Sequence, residues 1–438
     1  MKYGKRIKLN LVLKFFLLLF IGFFFFSGYF IFSIKYSPTL IKNDIQLPLT
    51  FWKYQCVDTM KTSRDKAREW MNRTDLDSEI DFEVKEVANL GANCIAIDTP
   101  YDNEFLPYLN HWVQKARKYN LKVLFRGNFS SWEGWFGYKK GMTPDELFKK
   151  IDSFIKNNST LFVNDDIFVS APEAEDGGPF NQVEKAQYDS FRAFLINEYN
   201  HTSDSFKSIN KNLVLNWLSM NGGLAKRIMN SKTASQLNDI IAIDHYIKTP
   251  QEMGEYVDYF KNTFNANVVI GEWGAPIPDI NGSMTESEQA SFNGDLLKQM
   301  YDKRNSINGI NYWDLYDGST ALLNSDKSER STYKVLQSFY KPTLIRGSVF
   351  NILNEPVANA NVSSNFGNST KTDNNGNFAI LLPSLNDTLT IKSSGNKDYS
   401  KTIHAGSSES TIILNKQSEN LDETIKESLI GIKNKFLN

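Results

Sequence analysis

Cysteine and histidine are scarce in this chain, at 2 and 4 of 438 residues. Two cysteines are too few for a disulfide framework or a zinc ribbon. His111, His201, His245 and His404 are scattered and form no close cluster, which argues against a histidine metal site, and no metal is expected. Charge of one sign is lacking too. Lys+Arg 49 against Asp+Glu 50 leaves a net charge of -1. That argues against a nucleic-acid binder driven by phosphate contacts. No Gly-rich phosphate loop follows the first strand-like segment, so no dinucleotide is expected, nor any other cofactor. Tryptophan ends at Trp313, which leaves everything beyond it without an indole. What the chain does have is a hydrophobic fraction of 41%, enough to fill at least one large core. Its aromatic content is 13%, with much of the phenylalanine crowded into the N-terminus.

That crowding reads as a membrane anchor. Phe15 to Ile34 is an apolar run of 20 residues, interrupted only by Gly22, Ser27, Gly28 and Ser33. A helix of that length spans the roughly 30 Å of bilayer hydrocarbon. Lys2, Lys5, Arg6, Lys8 and Lys14 precede it, so the positive-inside rule leaves the short tail in the cytoplasm. A cleaved signal peptide is the rival reading. The run exceeds the usual apolar region of about 7–15 residues, and no A-x-A site follows. The expectation is a cytoplasmic tail over 1–14, a single-pass signal anchor over 15–34 and a linker over 35–47. The rest of the chain would then lie outside, with the membrane as a partner.

Residues 48–342 read as eight strand–helix repeats. The strands are expected at Phe51–Asp58, Asn93–Thr99, Lys122–Asn128, Asp166–Ala171, Leu213–Ser219, Ile240–Ile247, Asn267–Trp273 and Gly309–Leu315. Most are short and rich in Val, Ile, Leu and Phe, as strands buried on both faces should be. Amphipathic stretches separate them. In Ser78–Leu90, for example, Ile80, Val84, Val87 and Leu90 fall at helical spacing. Thr143-Pro144-Asp145-Glu146 and Thr249-Pro250-Gln251-Glu252 each supply a Thr N-cap, Pro at N1 and Glu at N3. Strict alternation implies a parallel sheet, and eight repeats match a (β/α)8 TIM barrel in number and size.

In such a barrel the chemistry sits at the C-terminal strand ends. Those ends carry Asp58; Asp98-Thr99-Pro100-Tyr101; Arg126-Gly127-Asn128 with Trp132, Glu133 and Trp135; Pro172-Glu173-Ala174-Glu175; Asn216-Trp217; Asp244-His245-Tyr246; Gly271-Glu272-Trp273; and Tyr312-Trp313-Asp314. Carboxylates among indoles and phenols suit glycoside hydrolysis. One carboxyl protonates the leaving oxygen while a second attacks or activates water. Flat aromatic faces stack on the apolar faces of sugars, so an oligo- or polysaccharide is the expected partner. Two Glu at the ends of strands 4 and 7 fit the two roles.

At Val268-Val269-Ile270-Gly271-Glu272-Trp273-Gly274, Ile310-Asn311-Tyr312-Trp313 and Asp244-His245-Tyr246 the chain resembles a clan A glycoside hydrolase, most nearly the cellulase-like (family five) barrels. The resemblance implies Glu272 as nucleophile, Trp313 as floor of the reacting sugar's subsite and Tyr246 as the hydroxyl that orients Glu272. It implies an acid/base Glu at the end of strand 4, where this chain reads Pro172-Glu173-Ala174-Glu175 instead of the clan's Asn-Glu. Counting from Ile167 favours Glu173, and Glu175 stays open as the rival. Arg126, Asn128, Trp132, His245, Trp217 and Trp273 are expected to line the cleft, with a core role for Trp217 equally open. The implied activity is double displacement on a β-linked glycan with retention. The alternatives are an inactive carbohydrate-binding barrel, motivated by the strand-4 departure, and a transglycosylase. Cys56 and Cys94, on neighbouring strands, are expected as buried thiols, with a disulfide as the alternative.

After Pro342 the composition shifts to Ser, Asn, Thr and Gly. Alternation at Phe378, Ile380 and Leu382, and at Leu389 and Ile391, implies a small β-sandwich over 343–415. The stretch Gly347-Ser348-Val349, Glu355 to Val362 and Thr372 to Phe378 resembles carboxypeptidase-regulatory-like domains. Leu421, Ile425, Leu429, Ile432 and Phe436 at helical spacing suggest an amphipathic helix over 416–438.

Overall fold

Short β-rich segments alternate with amphipathic helices, and the resulting chain path closes on itself. The computed structural model describes residues 50–384, 386–404 and 409–414. The tail, anchor and linker expected over 1–47, and the helix over 416–438, lie outside the described residues. Among the described residues, no helix is long and apolar enough to cross a membrane.

The barrel strands are β1 (Tyr54–Asp58), β2 (Cys94–Ile97), β3 (Lys122–Phe125), β4 (Ile167–Phe168), β5 (Met220–Asn221), β6 (Ile240–Asp244), β7 (Asn267–Trp273) and β8 (Ile307–Tyr312). All pair in parallel, in the order β4-β3-β2-β1-β8-β7-β6-β5. A parallel bridge between Ile167 and Val214 joins the two ends. Two strands differ from the sequence expectation: β4 occupies only part of 166–171, and β5 follows 213–219 and does not lie within it. Residues 213–219 make only the Val214 bridge before the chain reaches β5. The eight-stranded parallel sheet, curled within its helices, is a TIM barrel.

The helices cover the sheet: α1 (Leu76–Leu90), α2 (Leu106–Lys118), α3 (Pro144–Asn157), α4 (Tyr188–Ser208), α5 (Gly222–Ile228), α6 (Pro250–Phe264), α7 (Glu286–Asp302) and α8 (Ser331–Tyr340). In α1 the predicted stripe Ile80, Val84, Val87 and Leu90 is buried. Thr143 forms the full capping box with Glu146 at the start of α3. Thr249 does not cap α6 through its side chain, although its hydroxyl donates to Glu252 Oε1 at 3.1 Å. One core cluster runs through sheet and helices together.

Cys56 and Cys94 correct the thiol expectation, since they form a disulfide. Parallel register pairs these two residues directly across β1 and β2. Both side chains therefore leave the sheet on the same face, side by side.

A second domain begins at β9 (Thr343–Asn351). β10 (Asn361–Ser364), β11 (Ser369–Lys371), β12 (Asn377–Leu382), β13 (Asp387–Lys392), β14 (Tyr399–Ile403) and β15 (Glu409–Leu414) follow. They form a sheet β11-β10-β13-β14 and a sheet β12-β9-β15. The alternating residues Phe378, Ile380, Leu382, Leu389 and Ile391 are buried in a core of their own with Val349, Val362 and Leu414. The domain rests on the barrel through Phe366, whose ring packs edge-on against Tyr301 (6.1 Å) and Phe339 (5.8 Å). Arg304 Nη2 donates to Asn368 Oδ1 at 2.6 Å beside it.

Candidate active site

Strand alternation decides which side chains meet at the C-terminal mouth. Along β6 and the residue pair beyond it, Asp244 and Tyr246 face the barrel axis while His245 faces the helices. Along β8, Asn311 and Trp313 face inward and Tyr312 outward. A register shift between Ile243 and Asp244 pairs Asp244 with Glu272, which brings these two acids together. Gly271 makes room, since a Cβ there would lie 2.4 Å from Asp244 Oδ1.

Arg126, just past β3, is the hub. Its buried guanidinium contacts Asp98 Oδ1 (3.1 Å), Asp244 Oδ2 (2.8 Å) and Glu272 Oε1 (2.6 Å). Tyr246 Oη donates to Glu272 Oε2 at 2.6 Å. Ser219 Oγ donates to Asp244 Oδ2 at 2.7 Å. Asn311 Nδ2 spans the floor between Asp58 Oδ2 and Gly271 O, both at 2.9 Å. Glu272 is thus held at both carboxylate oxygens, one by a charge and one by a hydroxyl.

Glu173 stands opposite. Its backbone is left-handed, with φ 48°, in the turn after β4. Its N–H is tied to Ser219 O at 3.1 Å. One oxygen from each of Glu173, Asp244 and Glu272 lies within 4.8 Å of the other two. Such a triad is a candidate metal set, but Arg126 already supplies positive charge to two of its members. Burial, together with the negative charges of Glu272 and Asp244, raises the Glu173 carboxyl well above the usual range. Burial and the charge on Glu272 also push Asp244 up to about 7, against the opposing pull of Arg126. A carboxyl raised by burial and like charge then faces one anchored by a guanidinium, an asymmetry that acid/base chemistry can use.

Glu175 takes a different place. It is buried, and its Oε1 accepts the backbone N–H of Asn221 at 2.6 Å. Burial pushes it up to about 8. Glu173 is half-buried and belongs to the carboxylate triad, whereas Glu175 braces the loop behind it.

Residues 345–425 match the CarboxypepD_reg-like domain family. A comparison with curated protein sequences finds no match. Among solved structures the chain is similar to GH5_18 from Streptomyces cattleya in complex with GlcNAc, at 12% identity and a TM-score of 0.50 over 67% of this chain and 80% of that one. It is also similar to beta-glycosidase BGL167, at 11% identity and a TM-score of 0.47 over 67% of this chain and 97% of that one. A fungal beta-1,4-galactanase aligns at 14% identity and a TM-score of 0.46, over 65% and 99%. At 11–14% identity these likenesses are ones of fold, the TIM barrel.

In this barrel, several residues expected in the cleft lie elsewhere. His245 packs on Tyr256 at 3.8 Å, against Gly222 of α5, and burial lowers it to about 4. It is a neutral wall residue, turned outward by strand alternation. Trp273, one step beyond Glu272, also points outward and is buried edge-on against Tyr312 at 4.9 Å. Trp217 is buried edge-on against Tyr54, at the start of β1 and therefore at the opposite end of the barrel. Its segment runs short of β5, which begins at Met220. Asn128 is buried, its side chain spent on Glu133 Oε1 and the Phe129 N–H. Trp132 is buried and stacked on Phe194 at 5.6 Å. Trp313 and Tyr246 remain half-buried at the mouth, ring to ring at 6.0 Å.

The sequence reading missed Asp98, Asp244 and Ser219 as site residues. Asp98 and Asp244 were visible as strand-end acids. What was not visible is that both converge on Arg126.

Proposed function

We propose that the chain is a retaining glycoside hydrolase acting on a β-linked oligo- or polysaccharide. Glu272 attacks the anomeric carbon and Glu173 protonates the leaving oxygen. Glu173 then serves as base for the water that releases the glycosyl group. Tyr246 and Arg126 orient Glu272, and Trp313 stacks the reacting sugar. The observation that carries the proposal is the approach of Glu173 and Glu272 oxygens within 4.8 Å of each other. Retaining enzymes hold their carboxyl groups about 5–5.5 Å apart, against about 6.5–9.5 Å for inverting ones.

The test is a panel of β-glucans and mannans, with the anomer of the first-formed product read by NMR. Retention is expected. Glu272→Gln should remove turnover, and Glu173→Gln should lower kcat by about 10²–10⁴-fold on substrates with poor leaving groups. Inverted product, or full activity in Glu272→Gln on every cleaved substrate, refutes the assignment. Pro172 stands where the clan has its sugar-contacting Asn, and this favours one second reading, a barrel that binds glycans without cleaving them. Binding by folded protein with no turnover on the panel would select it.

The proposal extends to location. The apolar run at 15–34, with basic residues before it, supports a single-pass anchor that holds the barrel outside the cytoplasm. The Cys56–Cys94 disulfide fits an oxidising compartment. Cell fractionation tests this, and full-length protein free in the medium refutes it.

A further inference from the structure

The loop after β3 carries one indole that the proposed chemistry does not use. Trp135 is half-buried, between Gly134 (φ 84°) and Phe136 (φ 53°). A bulky residue at positive φ is a genuine outlier that survives only where its surroundings over-determine it. Here they do. Phe136 packs on Phe105 at 4.7 Å, and the Arg68 guanidinium lies 5.1 Å over its ring. Arg68 Nη1 donates to Phe136 O at 2.9 Å, while its Nε reaches Glu104 Oε1 at 2.6 Å. Tyr138 Oη closes the brace on Glu104 Oε2 at 3.0 Å. Strain on one side of the indole is therefore balanced by a network built to keep the loop in place.

The same loop abuts the catalytic face. A Cβ on Gly177, four residues past Glu173, would lie 2.4 Å from Trp132 Nε1 and 2.6 Å from Glu133 Oε1. On its other side, the Arg64 guanidinium sits 4.7 Å over the Trp135 ring. Arg64 Nη2 contacts Asp65 Oδ1 at 2.8 Å, and Asp65 Oδ2 contacts Lys61 Nζ at 3.2 Å. Lys61 Nζ in turn lies 5.4 Å over the ring of Trp313. An unbroken chain of contacts thus joins two half-buried indoles, and its middle is a row of charged hydrogen-bonding groups on the β1 loop.

We propose that Trp135 is a second sugar platform, placed one or more units away from the sugar on Trp313, and that Lys61, Asp65 and Arg64 hydrogen-bond the hydroxyls of the chain crossing between them. This rests on the glycosidase reading above and adds to it that the substrate is an oligomer rather than a monoglycoside. The covered face of Trp135 belongs to Arg64, which fixes the ring plane, and the opposite face takes the sugar.

The experiment uses the full chain carrying Glu272→Gln, titrated with β-1,4-linked gluco- and manno-oligosaccharides of two to six units. Affinity is expected to rise with chain length. Adding Trp135→Ala should abolish that rise and weaken the longest binding oligomer about tenfold, while Trp135→Phe retains most of it. A purely structural role would weaken all lengths alike. Equal loss at every length, an unchanged length dependence, or no binding by any oligomer overturns the platform. The glycosidase reading stands or falls separately, on turnover and product anomer with the unsubstituted protein.

Discussion

Arg126 holds a single positive charge among Asp98, Asp244 and Glu272, so the protonation of the neighbouring acids is set collectively. Glu173 is raised by burial first and then by the charges of Glu272 and Asp244. A raised folded pKa favours the protonated form that the general-acid role proposed for Glu173 requires. Activity is therefore present below that pKa and is lost as pH rises through it. Removing a negative neighbour lowers the pKa, so Asp244→Asn is expected to move the alkaline limb of kcat/KM to lower pH. A limb that stays put, or moves up, would show that Asp244 does not act on Glu173. The acids themselves were legible as residues at strand ends, whereas only the fold brings Glu173, and not Glu175, beside Asp244 and Glu272. That His245 and Trp273 leave the cleft follows from period-two alternation beside Asp244 and Glu272. That Asn128 spends its amide on Glu133 was not readable, because that contact depends on how the loop after β3 folds back.

Among the elements, β1 and β2 carry the one covalent cross-link. It closes a separation of 38 residues, including all of α1. Constraining an unfolded loop of that length is worth about 3–4 kcal/mol. The double substitution Cys56→Ala/Cys94→Ala is expected to lower unfolding free energy by about that much in urea titration. Stability within about 1 kcal/mol of the parent would mean that the cross-link adds little. Long elements with clear periodicity, such as α1, α3 and β7, were legible. β4 and β5 were not: the apolar segment of β4 continues past the two residues that pair, and β5 pairs only after its apolar segment, at Met220–Asn221. Trp217 illustrates the consequence. Buried against Tyr54 at the base of the barrel, it looked like a strand-end indole only while residues 213–219 were taken for the strand.

At the scale of the molecule, the two domains share apolar and polar contacts. Phe366 of the sandwich meets Tyr301 and Phe339 of the barrel, and Arg304 reaches Asn368. Ser384 N–H also donates to Ser338 O at 2.7 Å, next to the chain crossing. The domains are expected to melt in one calorimetric transition. Phe366→Glu buries a charge in that contact and should split it in two. Two transitions in the parent protein would refute the coupling.

The order of strands and helices, the carboxylates at the strand ends, the strand that carries Glu272 and the sandwich were all written in local pattern. Strand periodicity, helix spacing and strand-end residue type each depend on neighbours in the chain. The pairing of Cys56 with Cys94, the hub at Arg126, the separation of Glu173 from Glu175 and the bracing of Trp135 were decided by tertiary structure. Each depends on register and loop closure between segments far apart in sequence, where a shift of one residue turns a side chain to the opposite face.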